Sequence, residues 1–162
     1  MPFNVLVLCT GNSARSILGE MLFNHLGHGR VKAWSAGSKP VGRVNPMALE
    51  TLAAHGIPMD GARSKSWDEF AVPGAPAIDF IFTVCGNTAR EACPVWPGHP
   101  ATAHWGIPDP AHIEPPEARR EAFEETYEQL DKRIRAFLAL PLETMDRQDV
   151  VAAACRIHEG GR

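Results

Sequence analysis

Long hydrophobic runs are missing from this 162-residue sequence: none approaches the roughly 18 residues that a helix needs to cross a bilayer, so a soluble chain is expected. Basic runs are missing too. Lysine and arginine never stand more than two in a row and the net charge is −3, which excludes a general nucleic-acid surface and leaves any anion to be caught by a local device. The opening residues MPFNVLVLC show no basic leader, long apolar core or small-residue cleavage site, so export is not expected and the cytoplasm is the expected location. Cysteine is scarce, at four residues. In a reducing compartment Cys9, Cys85, Cys93 and Cys155 read as free thiols, some of them redox-active or catalytic, rather than as a disulfide framework. The Cys85/Cys93 spacing lies outside the short C-x2–4-C clips, and His99 and His104 lie beside prolines and a strand without a paired ligand pattern, so neither metal nor cofactor is expected. Repeats and linkers are also absent. Glycine and proline, 14 of each, stay below the share of about 25–30% that marks disorder, and one domain spanning residues 1–162 follows.

The apolar residues that are present fall into short runs with clear periods. Phe3–Leu8 (FNVLVL) reads as a buried strand, and Ser16–Leu26 as a helix whose Ile17, Met21, Leu22 and Leu26 share a face before GHG closes it. Val31–Ser35 reads as a second strand. In NPMALETLAAHG, Asn45 is the expected N-cap, Pro46 the first helical residue and Gly56 the residue past the end. Ile78–Val84 and Ala101–Trp105 read as the third and fourth strands. From Glu117 a long helix puts Phe123, Tyr127, Leu130, Ile134, Phe137 and Leu138 on one face, with Glu128 facing Lys132 and Asp131 facing Arg135 outside. Pro141 stops it, and a last amphipathic helix near Asp146 makes residues 141–162 a C-terminal helical extension. Strands separated by helices predict a single-domain α/β fold, a doubly wound four-stranded parallel sheet flanked by helices. Ligands of such folds sit at the carboxyl ends of strands, where Cys9 and Cys85 both stand.

The stretch VLVLCTGNSARSILGE joins the first strand to the first helix. A turn of this kind points successive N–H groups into one hollow, and the helix dipole adds about half a positive charge at its mouth, a place built for an oxyanion. Thr10, Gly11, Asn12, Ser13, Ala14, Arg15 and Ser16 form the expected cradle. Gly11 and Asn12 tolerate the positive φ angles that a cradle needs, and Arg15 can grip two oxygens of a tetrahedral anion. The same field should hold Cys9 as a nucleophilic thiolate, with Ser16 placed to donate to its sulfur.

The pattern C-x5-R-S at this first turn resembles the low-molecular-weight protein tyrosine phosphatase superfamily, from Phe3 to about Leu140. Ser35–Ser38 (SAGS), Asn45–Pro46 and HWGIPDPA (His104–Ala111) fall where the superfamily has similar segments. The resemblance implies its fold and a general-acid role for Asp109, which would protonate the leaving oxygen as Cys9 attacks. A phosphatase for phosphotyrosine or small phosphate esters needs only Cys9, Arg15 and Asp109.

This chain has more thiols. Cys85 and Cys93, in FTVCGNTAREACPVWPG, resemble the C-x7-C of arsenate reductases grown on the same fold. That resemblance implies arsenate as substrate, phosphate and sulfate as competing anions, and thioredoxin or another thiol reductant as partner. It also implies a relay: Cys85 attacks the sulfur of Cys9, and Cys93 then attacks Cys85. Eight residues span about 26 Å extended and about 12 Å as helix, whereas a disulfide needs Cα atoms about 4.4–6.8 Å apart. The segment between Cys85 and Cys93 must therefore loop or unwind, at Gly86 and Asn87. Ala14, Ile17 and Ala111 stand where tyrosine phosphatases usually carry cysteine, proline and tyrosine, which leans toward reductase. Some reductases hold potassium through residues resembling Asn12, Glu20 and Ser35; Arg63 stands here near another ligand position. Cys155 reads as a core or surface thiol.

Overall fold

A computed structural model describes residues 2–59, 61–84 and 101–160. The chain runs β1 (Phe3–Leu8), α1 (Arg15–Gly27), β2 (Val31–Ala36), α2 (Pro46–Ala54), a 3-10 helix (Trp67–Phe70), β3 (Phe80–Thr83), β4 (Ala101–His104), α3 (Pro116–Leu138) and α4 (Arg147–Gly160). The strands form one parallel sheet in the order β2-β1-β3-β4, with Leu8 in register with Ala36 on one side and Thr83 on the other. The sheet predicted from the alternation of strands and helices is the one found.

Period-two alternation in β1 divides the core. Val5 and Val7 face a large cluster with Ile17, Leu18 and Leu22 of α1, Leu52 of α2, Phe123, Leu130, Ile134 and Phe137 of α3, and Val150 and Ala154 of α4. Leu6 and Leu8 face a smaller cluster made with Trp67, Phe70, Ile78 and Ile81. Each fully buried Leu, Ile, Val or Phe is worth about 1.5–3 kcal/mol over exposure, so the long face of α3 is a main source of stability.

The predicted ends hold where the capping chemistry is local. Asn45 caps α2, its side chain accepting from the Met47 amide at 2.9 Å, and His28 and Gly29 leave α1 with φ of 47° and 82°. β3 is shorter than expected. The Asp79 carboxylate, rather than a backbone carbonyl, accepts the Asn4 N–H at 2.8 Å and closes the ladder before Phe80, so Ile78 is buried without being a strand residue. The 3-10 helix was not foreseen; Ser66 caps it by accepting from the Asp68 amide. Asp131 and Arg135 pair on the outer face of α3 at 3.0 Å, as their spacing predicts. Helix α4 is built into the fold: its Ala154 carbonyl accepts from the buried Trp105 indole at 2.9 Å, and Arg147 reaches Asp79 at 3.0 Å. Among the described residues no helix is long and apolar enough to cross a membrane.

With this strand order the sheet reverses its winding between β1 and β3, and the turn after β1 opens into the crevice there. That turn begins at Cys9.

Candidate active site

Cys9 is buried at the floor of a cup whose walls come from Gly11–Arg15, from Val41, Arg43, Asn45 and Pro46 ahead of α2, and from Asp109, Ala111 and His112 after β4. The loop is shaped by where its carbonyls go. Those of Thr10, Gly11 and Ser13 accept from the amides of Lys39, Val41 and Asn45 at 3.0, 3.0 and 2.9 Å, all on the β2–α2 connection. Carbonyls held on the outer side in this way are what an anion nest, with its N–H groups turned inward, requires. No side chain caps α1 at Ala14.

Asn12 pins the turn from beneath. It is fully buried with φ of 45°, its amide donates to Ser16 Oγ at 2.8 Å and Ser35 Oγ at 2.9 Å, and its Oδ1 accepts the Lys65 N–H at 2.8 Å. The expectation for Gly11 fails. Asn12 alone in the loop takes a positive φ, and a Cβ on Gly11 would meet only Val41 Cγ1 at 3.5 Å, so it is the Asn12 network that sets the bend. Of the other cradle residues, Ser13, Ala14 and Arg15 line the cup, Ser16 lies buried beside Asn12, and Thr10 turns its carbonyl to Lys39.

Arg15 bridges the cup to the loop after β4. One guanidinium nitrogen donates to the Ile107 carbonyl at 2.9 Å and another lies 3.7 Å from Asp109 Oδ2. Asp109 Oδ1 accepts the Ala111 N–H at 2.9 Å, the side-chain turn typical of Asp-Pro, and His112 Nε2 lies 3.7 Å from Oδ2. The carboxyl therefore faces the cup while staying partly open to water.

Beneath the loop lies a buried charge pair that sequence reading did not foresee as a unit. The Lys65 ammonium is 3.7 Å from Glu20 Oε1 and donates to the Arg63 carbonyl at 3.1 Å, while Glu20 accepts a short hydrogen bond from the Ser35 hydroxyl. Burial pushes the Glu20 carboxyl up, against the pull of Lys65, and pushes the Lys65 ammonium down. Asn12, Glu20 and Ser35, the residues resembling a potassium site, are thus brought together with a lysine at Glu20. Arg63 is linked to them by its carbonyl, which accepts from Lys65, while its guanidinium pairs with Glu69 at 2.6 Å. Among the described residues no group of three or more His, Cys, Asp or Glu is placed to hold a metal.

Cys85 and Cys93 lie outside the described residues, as does His99. The described chain leaves β3 at Val84, whose N–H donates to the Leu8 carbonyl at 2.9 Å, one residue before the start of the Cys9 loop. His104 shares a 2.7 Å hydrogen bond with Thr83, an ordinary polar role, and Cys155 is a half-buried free thiol on α4.

Residues 4–151 match the family model of the low molecular weight phosphotyrosine protein phosphatases. The chain belongs to that family. It is 34% identical over 131 residues to an arsenate reductase of Shouchella clausii, covering 80% of this chain and 91% of that one. The solved arsenate reductase of Archaeoglobus fulgidus is similar over 81% of this chain and 98% of its own, at 30% identity and a TM-score of 0.60. Vibrio vulnificus Wzb, solved with benzylphosphonate, shares the fold at 20% identity, covering 85% of this chain and 98% of its own with a TM-score of 0.68.

Proposed function

We propose that this protein reduces arsenate to arsenite. The observation that carries the reading is the cup itself: it joins Cys9, Arg15 and Asp109, yet among the described residues its lining holds no Phe, Tyr or Trp that would grip the ring of a phosphotyrosine; beyond the loop it is walled by Val41, Arg43, Asn45, Pro46, Ala111 and His112. A small, strongly charged inorganic oxyanion suits such walls better than an aryl ester. The relatives at 30% identity and above point the same way.

In this reading the loop N–H groups and Arg15 hold the arsenate oxygens, and the positive field of the α1 N-terminus keeps Cys9 as thiolate. The thiolate attacks arsenic, forming a sulfur–arsenic bond, while Asp109 gives its proton to the departing oxygen, which leaves as water. Cys85 as thiolate then attacks Cys9 Sγ. A sulfur–sulfur bond forms, the sulfur–arsenic bond breaks, and its electron pair stays on arsenic, which departs as arsenite. Cys93 attacks Cys85 and frees Cys9, and an external dithiol such as thioredoxin reduces the Cys85–Cys93 disulfide by two electrons. This cycle belongs to a reducing compartment such as the cytoplasm. Phosphate and sulfate, alike in shape and charge, would compete for the cup.

The test is arsenate-dependent NADPH oxidation coupled to thioredoxin and its reductase, or to glutaredoxin and glutathione, run beside hydrolysis of an aryl phosphate. Turnover with arsenate that vanishes in Cys9→Ser supports the reading. Fast aryl phosphate hydrolysis with no arsenate turnover under either donor would replace it with the phosphatase reading.

A further inference from the structure

A lysine and a glutamate, each nearly closed off from water, lie directly under a loop that must present a positive face to an anion. Glu20 alone would work against that loop, because a buried carboxylate beneath the cup lowers its potential and raises the cost of placing an oxyanion above it. The contacts form a chain with a direction. The Lys65 ammonium meets Glu20, Glu20 accepts from Ser35, Ser35 accepts from the Asn12 amide at 2.9 Å, and Asn12 holds the φ of 45° on which the loop turns. The Lys65 backbone N–H reaches Asn12 Oδ1 as well, at 2.8 Å, so one residue grips the turn by its backbone and balances its support by its side chain.

We propose that Lys65 is a positioning residue of the oxyanion loop: its ammonium is a built-in cation that neutralises Glu20 and, through Ser35, holds Asn12 in the turn that aims the loop N–H groups into the cup. This rests on reading the loop as an oxyanion cup, not on which oxyanion is turned over. A free carboxylate would otherwise need a dissolved cation or a proton at the same place. Burial pushes the Glu20 carboxyl up and the Lys65 ammonium down, and the charge of each partner opposes that push on the other. Arg63 and Glu69 are the further charges that act on the pair. Around Cys9 stand Arg15, Arg43, Asp109 and His112, all left in place by the variants below.

The experiment measures inorganic phosphate binding by calorimetry, and the pH dependence of Cys9 alkylation by iodoacetamide in a background with Cys85, Cys93 and Cys155 changed to serine. Neither readout needs the redox cycle. Lys65→Met should weaken phosphate binding roughly ten- to a hundredfold, the range commanded by groups that orient a binding shell, and should move the alkylation midpoint to higher pH. Adding Glu20→Gln should restore most of the affinity, since the amide oxygen still accepts from Ser35 and no buried charge is left; a merely structural lysine would gain nothing from the second change. Should Lys65→Met not fold, Glu20→Gln alone decides: with the opposing charge gone, phosphate should bind no more weakly than to wild type, and weaker binding overturns the proposal. Equal affinity and equal alkylation profiles in Lys65→Met and wild type also overturn it. Wild type that binds no oxyanion overturns the cup, and the role of Lys65 with it.

Discussion

Gly37 lies so close under the Cys9 loop that a Cβ on it would collide with the Thr10 carbonyl oxygen and stand 2.7 Å from that of Cys9. Both are backbone atoms, which cannot rotate aside. Gly37 is itself fixed, donating to the Lys65 carbonyl and accepting from Trp67, each at 2.9 Å, so an added methyl group must displace the loop rather than the strand end. Gly37→Ala is therefore expected to cost about 1–3 kcal/mol of stability, the usual range for overpacking, and to lower phosphate affinity with it. Calorimetric melting and phosphate titration check this together. A variant with wild-type melting and affinity would show that the loop tolerates the shift.

The parts of this site that sequence reading reached are those whose cause is local. Cys9, Arg15 and the cradle follow from one strand-to-helix turn, and Asp109 from an Asp-Pro loop in a recognisable segment. Asn45 declared its helix for the same reason: cap, proline and first turn are neighbours. Lys65 did not, because its meaning depends on Glu20 and Asn12, which are 45 and 53 residues away in the chain and meet it only in the fold. Gly11 misled for a related reason. Glycine permits a positive φ but does not require one, and the Asn12 hydrogen bonds decide which residue takes it.

Asp109 lines the cup beside Arg15, 3.7 Å from its guanidinium, a place that suits the proton delivery proposed for it. Asp109→Asn keeps the side-chain oxygen that accepts the Ala111 N–H but has no acidic proton. The first chemical step is expected to slow by about 10²–10⁴-fold, the range for one general acid, with a smaller change in phosphate affinity. Single-turnover kinetics with arsenate measure the step directly. An unchanged rate would move the proton source elsewhere.

The C-terminal segment is tied to the body by Arg30, which donates to the carbonyls of Leu138 and Leu140 and to both oxygens of Glu143. The guanidinium depresses the Glu143 carboxyl from 4.5 to about 2. A depressed carboxyl stabilises the fold above its unfolded value, and that contribution is lost as pH falls through the folded value. Glu143→Gln should thus lower the melting temperature slightly at pH 7, the pair being exposed and screened. The gap from wild type should narrow below about pH 4.5 and close near pH 2. Melting curves across that range read it; a gap that grew on acidification would contradict the pairing.

Cys85 and Cys93 would separate the two enzyme readings, because phosphate-ester hydrolysis on this chain would call on Cys9, Arg15 and Asp109 alone whereas arsenate reduction takes two electrons from thiols. If Cys85 is the residue that attacks Cys9, Cys85→Ser should lose arsenate reduction and keep whatever aryl phosphatase activity the cup has. Cys93→Ser should behave differently. It should complete one turnover and stall as a Cys9–Cys85 disulfide, recycling slowly because a thioredoxin-type donor finds no Cys85–Cys93 bond to open. Wild type given arsenate without reductant should lose two thiols per chain, and peptide mapping should join Cys85 to Cys93. Normal arsenate turnover in both variants would remove the relay and leave the Cys9 cup with a different source of electrons.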